Sequence, residues 1–245
     1  MNRSSVLSLR RRLCSRCRQA GFTLLETLIA LGIGLFLLGG IALVMGLTRQ
    51  NFNAQSGLSQ LQDDQRIAVS MLVMVVEHAG FFPDPAAQTV ADAFPAIGAF
   101  GSGQSLTGTV GSAGAGDTLS VRFQQSPPGN AGSDFMLDCQ GVSNTDAINR
   151  DALNVFGLNA AGELTCSVNG NTAQPLAAGL SGFSVLYGVD SDNDSSVDQY
   201  LPATSMTPQL WLATGSVKVS LSFVNPLDAT KPITVVRVIN LMNHS

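Results

Sequence analysis

Gly21-Phe22-Thr23-Leu24-Leu25-Glu26 opens an apolar run that extends to Thr48, and Glu26 is the single charge between Phe22 and Thr48. The uncharged stretch from Thr27 to Thr48, at roughly 1.5 Å per helical residue, is long enough to cross a hydrocarbon core of roughly 30 Å. A carboxylate at the start of such a span costs a few kcal/mol on insertion scales, so it calls for a partner and marks a functional position. A freed amino terminus would serve as that partner.

Charge fixes the orientation expected for this span. Arg3, Arg10, Arg11, Arg12, Arg16 and Arg18 precede it, and no acid occurs before Glu26. Such a flank stays on the cytoplasmic side. From Phe22 onward only seven cations (Arg49, Arg66, Arg122, Arg150, Lys218, Lys231, Arg237) oppose all 17 acids, a balance of 7 − 17 = −10. An acidic outer part argues against nucleic acid as a partner. With 245 residues, 45% hydrophobic and 12% charged, the chain suits one anchored domain. A cleaved secretory signal has a similar basic flank and apolar core. The length of the run, the lack of an A-x-A site after it, and Glu26 all weigh against that reading.

Cysteine usage agrees with export. Cys14 and Cys17 spell C-x-x-C in the basic leader, but no second ligand pair accompanies them, so zinc or redox chemistry is not expected there. Cys139 and Cys166 lie far beyond the span and are expected to form one disulfide. A loop of that size contributes about 3.5 kcal/mol in the chain-entropy picture.

After Arg49 the helical period persists. Leu58, Leu61, Ala68, Leu72 and Val75 share one face, with Ile67, Met71 and Met74 beside it. No proline interrupts from Phe22 to Phe82, so one helix should run to about His78 and stop at Ala79-Gly80. It would measure roughly 85 Å. Its inner half is apolar all round and must face lipid or other helices; its outer half is amphipathic and should pack on a head. Gly32, Gly34, Gly39, Gly40 and Gly46 fit either close helix packing, through Ala30/Gly34 and Ala42/Gly46, or a softened helix. Residues Gly98 to Gly116 read as a loop rich in small residues. Strands are expected around Leu119–Phe123, Phe135–Cys139, Glu163–Val168 with an Asn169-Gly170 turn to a partner, Phe183–Val189, Val217–Phe223 and Ile233–Leu241. The expected fold class is α+β, a long amino-terminal helix packed on a mainly antiparallel head.

The stretch from Gly21 to Glu26 resembles the processing motif of type IV prepilins and type II secretion pseudopilins. In that family a prepilin peptidase cuts after the glycine, the new terminal residue is N-methylated, and the acid meets a neighbour's amino terminus during assembly. The resemblance assigns these roles to Gly21, Phe22 and Glu26. A buried carboxylate and a buried ammonium cost several kcal/mol apart and much less together. Within the family the chain is similar to PilW-type minor pilins, through Arg66-Ile67-Ala68, Leu72, Ala79-Gly80-Phe81 and the acidic segment from Tyr187 to Tyr200. Residues 85 to 180 carry little that matches.

The resemblance implies a leader at 1–21 that is removed, a transmembrane and assembly half of the helix at 22–48, an amphipathic half at 49–80, and a periplasmic head at 81–245. It implies a non-catalytic minor pilin in a bacterial inner membrane, amino end cytoplasmic and head periplasmic, that assists assembly or initiation of a type IV pilus and can enter the extracellular filament. Partners would be the prepilin peptidase, other minor and major pilins, and the inner-membrane assembly platform. A J-type pseudopilin of type II secretion and a pilus-tip adhesin are the alternatives.

No cofactor is required by these roles, but one segment raises calcium. Asp190, Asp192, Asp194, Ser196 and Asp198 match positions 1, 3, 5, 7 and 9 of a calcium loop. Ser195 stands where such loops place glycine, and Leu201 where they place the closing glutamate, so a solvated acidic hairpin is the competing reading. An enzyme is not expected. The two histidines, His78 and His244, sit at a helix end and next to the carboxyl end, and one Trp with two Tyr do not line a sugar cleft.

Overall fold

A computed structural model describes residues 21–112, 116–129 and 136–243. The arginine-rich leader, Cys14, Cys17, Phe135 and His244 lie outside the described residues. Helix α1 runs Leu24–Glu77, 54 residues, close to the expected end at His78. The chain divides into two compact units, one ending at Phe52 and one beginning at Asn53. In the first, every described residue but Gly34 is exposed, and α1 is long and apolar enough to cross a membrane.

The second unit contains two antiparallel sheets. The first is a meander in the order β1 (Leu106–Thr109), β2 (Thr118–Gln125), β3 (Arg150–Leu158), β4 (Leu164–Val168) and β5 (Gln174–Ala177). The second runs β7 (Gln199–Leu201), β6 (Leu180–Val189), β8 (Thr214–Phe223) and β9 (Ile233–Asn240). Two short helices, α2 (Val90–Ala93) and α3 (Pro208–Leu212), sit in the connections. The strands alternate: Leu119, Val121 and Phe123 on β2, Phe183, Val185 and Tyr187 on β6, and Val217, Val219, Leu221 and Phe223 on β8 are all buried. They join Leu61, Ala68, Leu72, Val75 and Val76 of α1 in one core. Each fully buried aliphatic or aromatic side chain contributes about 1.5–3 kcal/mol of transfer free energy. The expected helix face is therefore the packed one, with Leu58 only partly covered.

The helix stops where a residue with positive φ is needed. Gly80 has φ +76°, and its N–H donates to the Arg122 carbonyl at 3.1 Å, tying the helix end to β2. A side chain there would meet the Asn243 carbonyl 3.0 Å from its Cβ and adopt a left-handed backbone. The Asn169-Gly170 turn also forms as expected: both residues have positive φ, and the Asn171 N–H reaches the Val168 carbonyl at 2.9 Å.

Two expectations are corrected, and one strand is added. Met136–Cys139 is loop and turn rather than strand, because side chains take its backbone bonds. The Asp138 carboxylate accepts the Gln140 and Val142 N–H groups at 2.9 Å, and the Cys139 N–H goes to Asn154 Oδ1 at 2.8 Å. The small-residue stretch Gly98–Gly116 contains β1, whose Gly108 lies where a Cβ would fall 2.0 Å from the Tyr187 hydroxyl. Glycine there is a close-packing requirement that reads in sequence as a loop signal. β3 escaped notice because Asn154, wholly buried, interrupts its apolar alternation.

Cys139 and Cys166 form the expected disulfide, with Cα atoms 6.3 Å apart and both residues buried. It anchors the Met136–Val142 turn to β4.

Candidate functional site

The described amino-terminal segment begins with Gly21 and Phe22, both exposed and outside regular secondary structure, and α1 starts at Leu24. Thr23 precedes the first helical residue, and its hydroxyl accepts the Glu26 N–H at 3.3 Å. That is one half of a capping box. The returning bond, from the Thr23 N–H to the Glu26 carboxylate, is not made, and among the described residues nothing donates to that carboxylate. The other hydroxyls of the apolar stretch are satisfied within the helix: Thr27 bonds the Leu24 carbonyl and Thr48 the Val44 carbonyl, each at 2.8 Å. Glu26 is thus the polar group left over, in the first turn where the helix dipole favours an anion. The helix surface at Gly32, Gly34, Gly39, Gly40 and Gly46 is open, with nothing within 4 Å of an added Cβ.

The acidic loop joins β6 to β7. One carboxylate oxygen from each of Asp190, Asp192 and Asp194 lies within 4.8 Å of the others. Asp190 is buried, and its carboxylate accepts the Asp194 N–H at 3.2 Å and the Ser195 N–H at 2.8 Å. Asp198 stands outside this trio and accepts the Ser191 N–H at 2.7 Å. Asn193 and Ser195 adopt φ +61° and +70°. Ser195 therefore takes the left-handed conformation for which a glycine would be the ordinary choice, at a cost of about 1–2 kcal/mol. Leu201, in β7, supplies no closing carboxylate.

Electrostatics divide the three acids. Burial pushes the Asp190 carboxyl up, but the Ser195, Asp194 and Asn193 N–H groups outweigh it and hold the carboxyl below the usual range. The carboxylates of Asp194 and Asp198 push Asp192 upward. The loop accumulates like charge, and among the described residues only Lys231–Asp228 forms an ion pair in this chain. Three hard oxygen ligands converge, a partial fit to a hard cation such as calcium.

Sequence reasoning passed over Arg122. Its guanidinium is buried and donates to the carbonyls of Gln104, Pro95, Phe94 and Gly101 at 2.5–3.1 Å, with Phe94 and Phe100 rings 5.2 and 4.7 Å from its Cζ. Burial lowers its pKa, against the field of Asp151. It gathers the segment around Phe94–Gln104 onto β2, and its position in an alternating strand gave no signal of this. His78 stacks edge-on against Phe123 at 5.5 Å, with its pKa lowered by burial, against Glu77.

The amino-terminal motif and the carboxyl-terminal sheet each match a known family model. Residues 16–42 match the family model described as Prokaryotic N-terminal methylation motif, which includes Gly21, Phe22 and Glu26. Residues 142–239 match the model described as Type IV Pilus-assembly protein W, which includes Cys166 and the acidic loop. Each match covers less than half of the chain: the first is a likeness at the amino-terminal motif, the second a likeness to PilW proteins in the carboxyl-terminal part. The motif implies processing by prepilin peptidase and interaction with other pilins, and it is consistent with a membrane-anchored chain. The second match begins inside the region 85–180 where little resemblance was expected, while Arg66–Phe81 lies outside both. Among solved structures, a type IV-like pilin from Thermus thermophilus is similar at 12% identity and a TM-score of 0.41, over 76% of this chain and 97% of that one. No curated protein matches.

Proposed function

We propose that this chain is a non-catalytic minor pilin that is cut after Gly21, N-methylated at Phe22, and drawn into a type IV pilus through its apolar helix. The observation that carries this reading is the Glu26 carboxylate, the one polar group of the apolar stretch without a partner. The methylated ammonium of a neighbouring subunit would supply that partner. In this reading the amino end faces the cytoplasm, held by the basic leader, and the head is periplasmic. The prepilin peptidase, the major and minor pilins and the inner-membrane assembly platform are its partners. The PilW match favours the pilus over a J-type role in type II secretion.

The test is processing. Gly21→Ala should accumulate the full-length precursor in the membrane; mature protein of normal size would overturn the cleavage assignment.

We further propose that the acidic loop takes calcium, with Asp190, Asp192 and Asp194 as the inner ligands and Ser196 and Asp198 beside them. Like charges that repel in the free loop support it, as does the left-handed turn at Ser195. Isothermal titration of the purified protein checks it: no heat at millimolar calcium removes calcium from the account.

A further inference from the structure

β9 is the outermost strand of its sheet, and its pairing register shows which of its backbone groups are unused. The Leu241 N–H donates to the Gly215 carbonyl at 3.0 Å, which makes that pair a hydrogen-bonded one. Stepping back by two along the antiparallel register, Ile239, Arg237, Val235 and Ile233 exchange their bonds with β8. The N–H and C=O groups of Val236 and Val238 therefore face the open edge, and among the described residues no strand pairs there. Both side chains are about half exposed, at 50% and 51%.

Beside that edge, α1 and β9 enclose a groove of about 630 Å³. Val69, Val73 and Met74 of α1 give it an incompletely covered apolar floor. Arg66 from the helix and Arg237 from the strand line it, and among the described residues neither has a carboxylate within 4.0 Å. Gln65 Nε2, also on the lining, is buried without a hydrogen-bond acceptor. Glu77 borders the same groove three helical turns from Arg66. In a chain that carries a net −10 from Phe22 onward, two unpaired guanidinium groups and an unused amide donor at one sheet edge form a local anion-seeking surface.

An inward-pointing charge on an edge strand can also act simply as a guard against sticking. That explains Arg237 alone; it leaves Arg66, the orphaned Gln65 donor and the half-covered floor without a role. A strand added about 4.8 Å from β9 would lie over this floor, satisfy the Val236 and Val238 backbones, and bring its own side chains to the arginines. We propose that the groove between α1 and β9 receives an extended, acid-bearing segment of another subunit as an additional strand on β9. The inference rests on the pilin reading only for the source of the partner.

Its test uses the full chain in piliated cells, with a photo-crosslinking residue at Val238 and, separately, at Leu47 in the apolar half of the helix. The expected result is a Val238 adduct mapping to an Asp- or Glu-containing segment of a different subunit with a prepilin-type start. It should fall at least tenfold in Arg237→Glu and in Arg66→Glu. Val236→Pro removes only an outward-facing N–H and should abolish it as well. A Val238 adduct unchanged by all three substitutions, or one mapping to a second copy of this chain, overturns the proposal. Leu47 adducts with other pilins but none from Val238 would sink the groove while sparing the pilin reading. Loss of both would sink the two together.

Discussion

Asp117 closes the part of the β6 edge that β7 does not reach: its Oδ2 accepts the Val185 N–H at 2.8 Å, and its own N–H donates to the Phe183 carbonyl at 2.9 Å. Asp117 immediately precedes β2, so a single residue beside the first sheet pairs like a short strand with the second. Its Oδ1 also accepts the Gly111 N–H at 3.0 Å.

Removing that carboxylate leaves two N–H groups without acceptors. For Asp117→Ala we expect a loss of roughly 2–4 kcal/mol, and about half of it for Asp117→Asn, which keeps one acceptor oxygen. Urea unfolding followed by fluorescence of Trp211, the only tryptophan and packed edge-on against Tyr187 at 4.5 Å, measures it. Equal stability of wild type and Asp117→Ala would show that water replaces the carboxylate.

Arg122 serves the loop from Phe94 to Gln104 as Asp117 serves β6. Four backbone carbonyls converge on one planar group, an arrangement that lysine cannot reproduce. Arg122→Lys should cost about 2 kcal/mol and Arg122→Met roughly 3 kcal/mol, since Met removes the donor from all four carbonyls, of which those of Phe94 and Gly101 keep the Gly103 and Gln104 N–H groups, but fills the volume between Phe94 and Phe100. Proteolysis between Phe94 and Gln104 should accelerate in both variants; unaltered cleavage there would mean the loop is held by other contacts.

Most of the architecture was readable because periodicity reports burial. Leu61, Ala68, Leu72 and Val75 announced the packed helix face, and Val217–Phe223 announced β8. The failures have a common cause. β1 and β3 are strands whose core positions carry Gly108 and Asn154, and these residues are chosen for Tyr187 and Cys139 from distant parts of the chain. A partner that lies outside the local sequence leaves no local pattern. The same holds for Arg122, whose four acceptors come from residues 18 to 28 positions away. The amino-terminal motif was legible for the opposite reason: it is written in consecutive residues, and residues 16–42 match the methylation-motif model. In the acidic loop, the carboxylates could be read off the spacing, but the left-handed turn at Ser195 could not.

Proton binding in that loop should follow the division between Asp190 and Asp192. Asp192 is raised by its acidic neighbours, so its repulsion is present at neutral pH and is relieved as pH falls through its folded pKa. Asp190 is depressed by backbone donors, so what it contributes is present above the ordinary carboxylate range and is lost only as pH falls below that range. Carboxyl-carbon NMR should therefore show Asp192 protonating at higher pH than Asp190; the reverse order would contradict the arrangement. Millimolar calcium should move the Asp192 titration downward, and Asp192→Asn should weaken calcium binding at least tenfold without reducing stability at neutral pH.

Glu26→Val separates cutting from joining. The Thr23 hydroxyl that receives the Glu26 N–H acts on the backbone and is untouched by the change, so α1 should begin at the same residue and Gly21 should still be cut. What disappears is the carboxylate alone. A neighbour's ammonium then enters an apolar packing without a counter-charge, at a cost of several kcal/mol. Mature, membrane-bound protein at wild-type level, with incorporation into filaments reduced by at least tenfold, is the expected outcome in a strain relying on the altered chain. Glu26→Gln keeps the shape and hydrogen-bonding ability but not the charge. It should resemble Glu26→Val if charge pairing recruits the subunit and resemble wild type if shape or a neutral hydrogen bond suffices. Immunoblots of sheared filaments and of membranes measure both arms, and normal incorporation of Glu26→Val would remove Glu26 from the assembly contact.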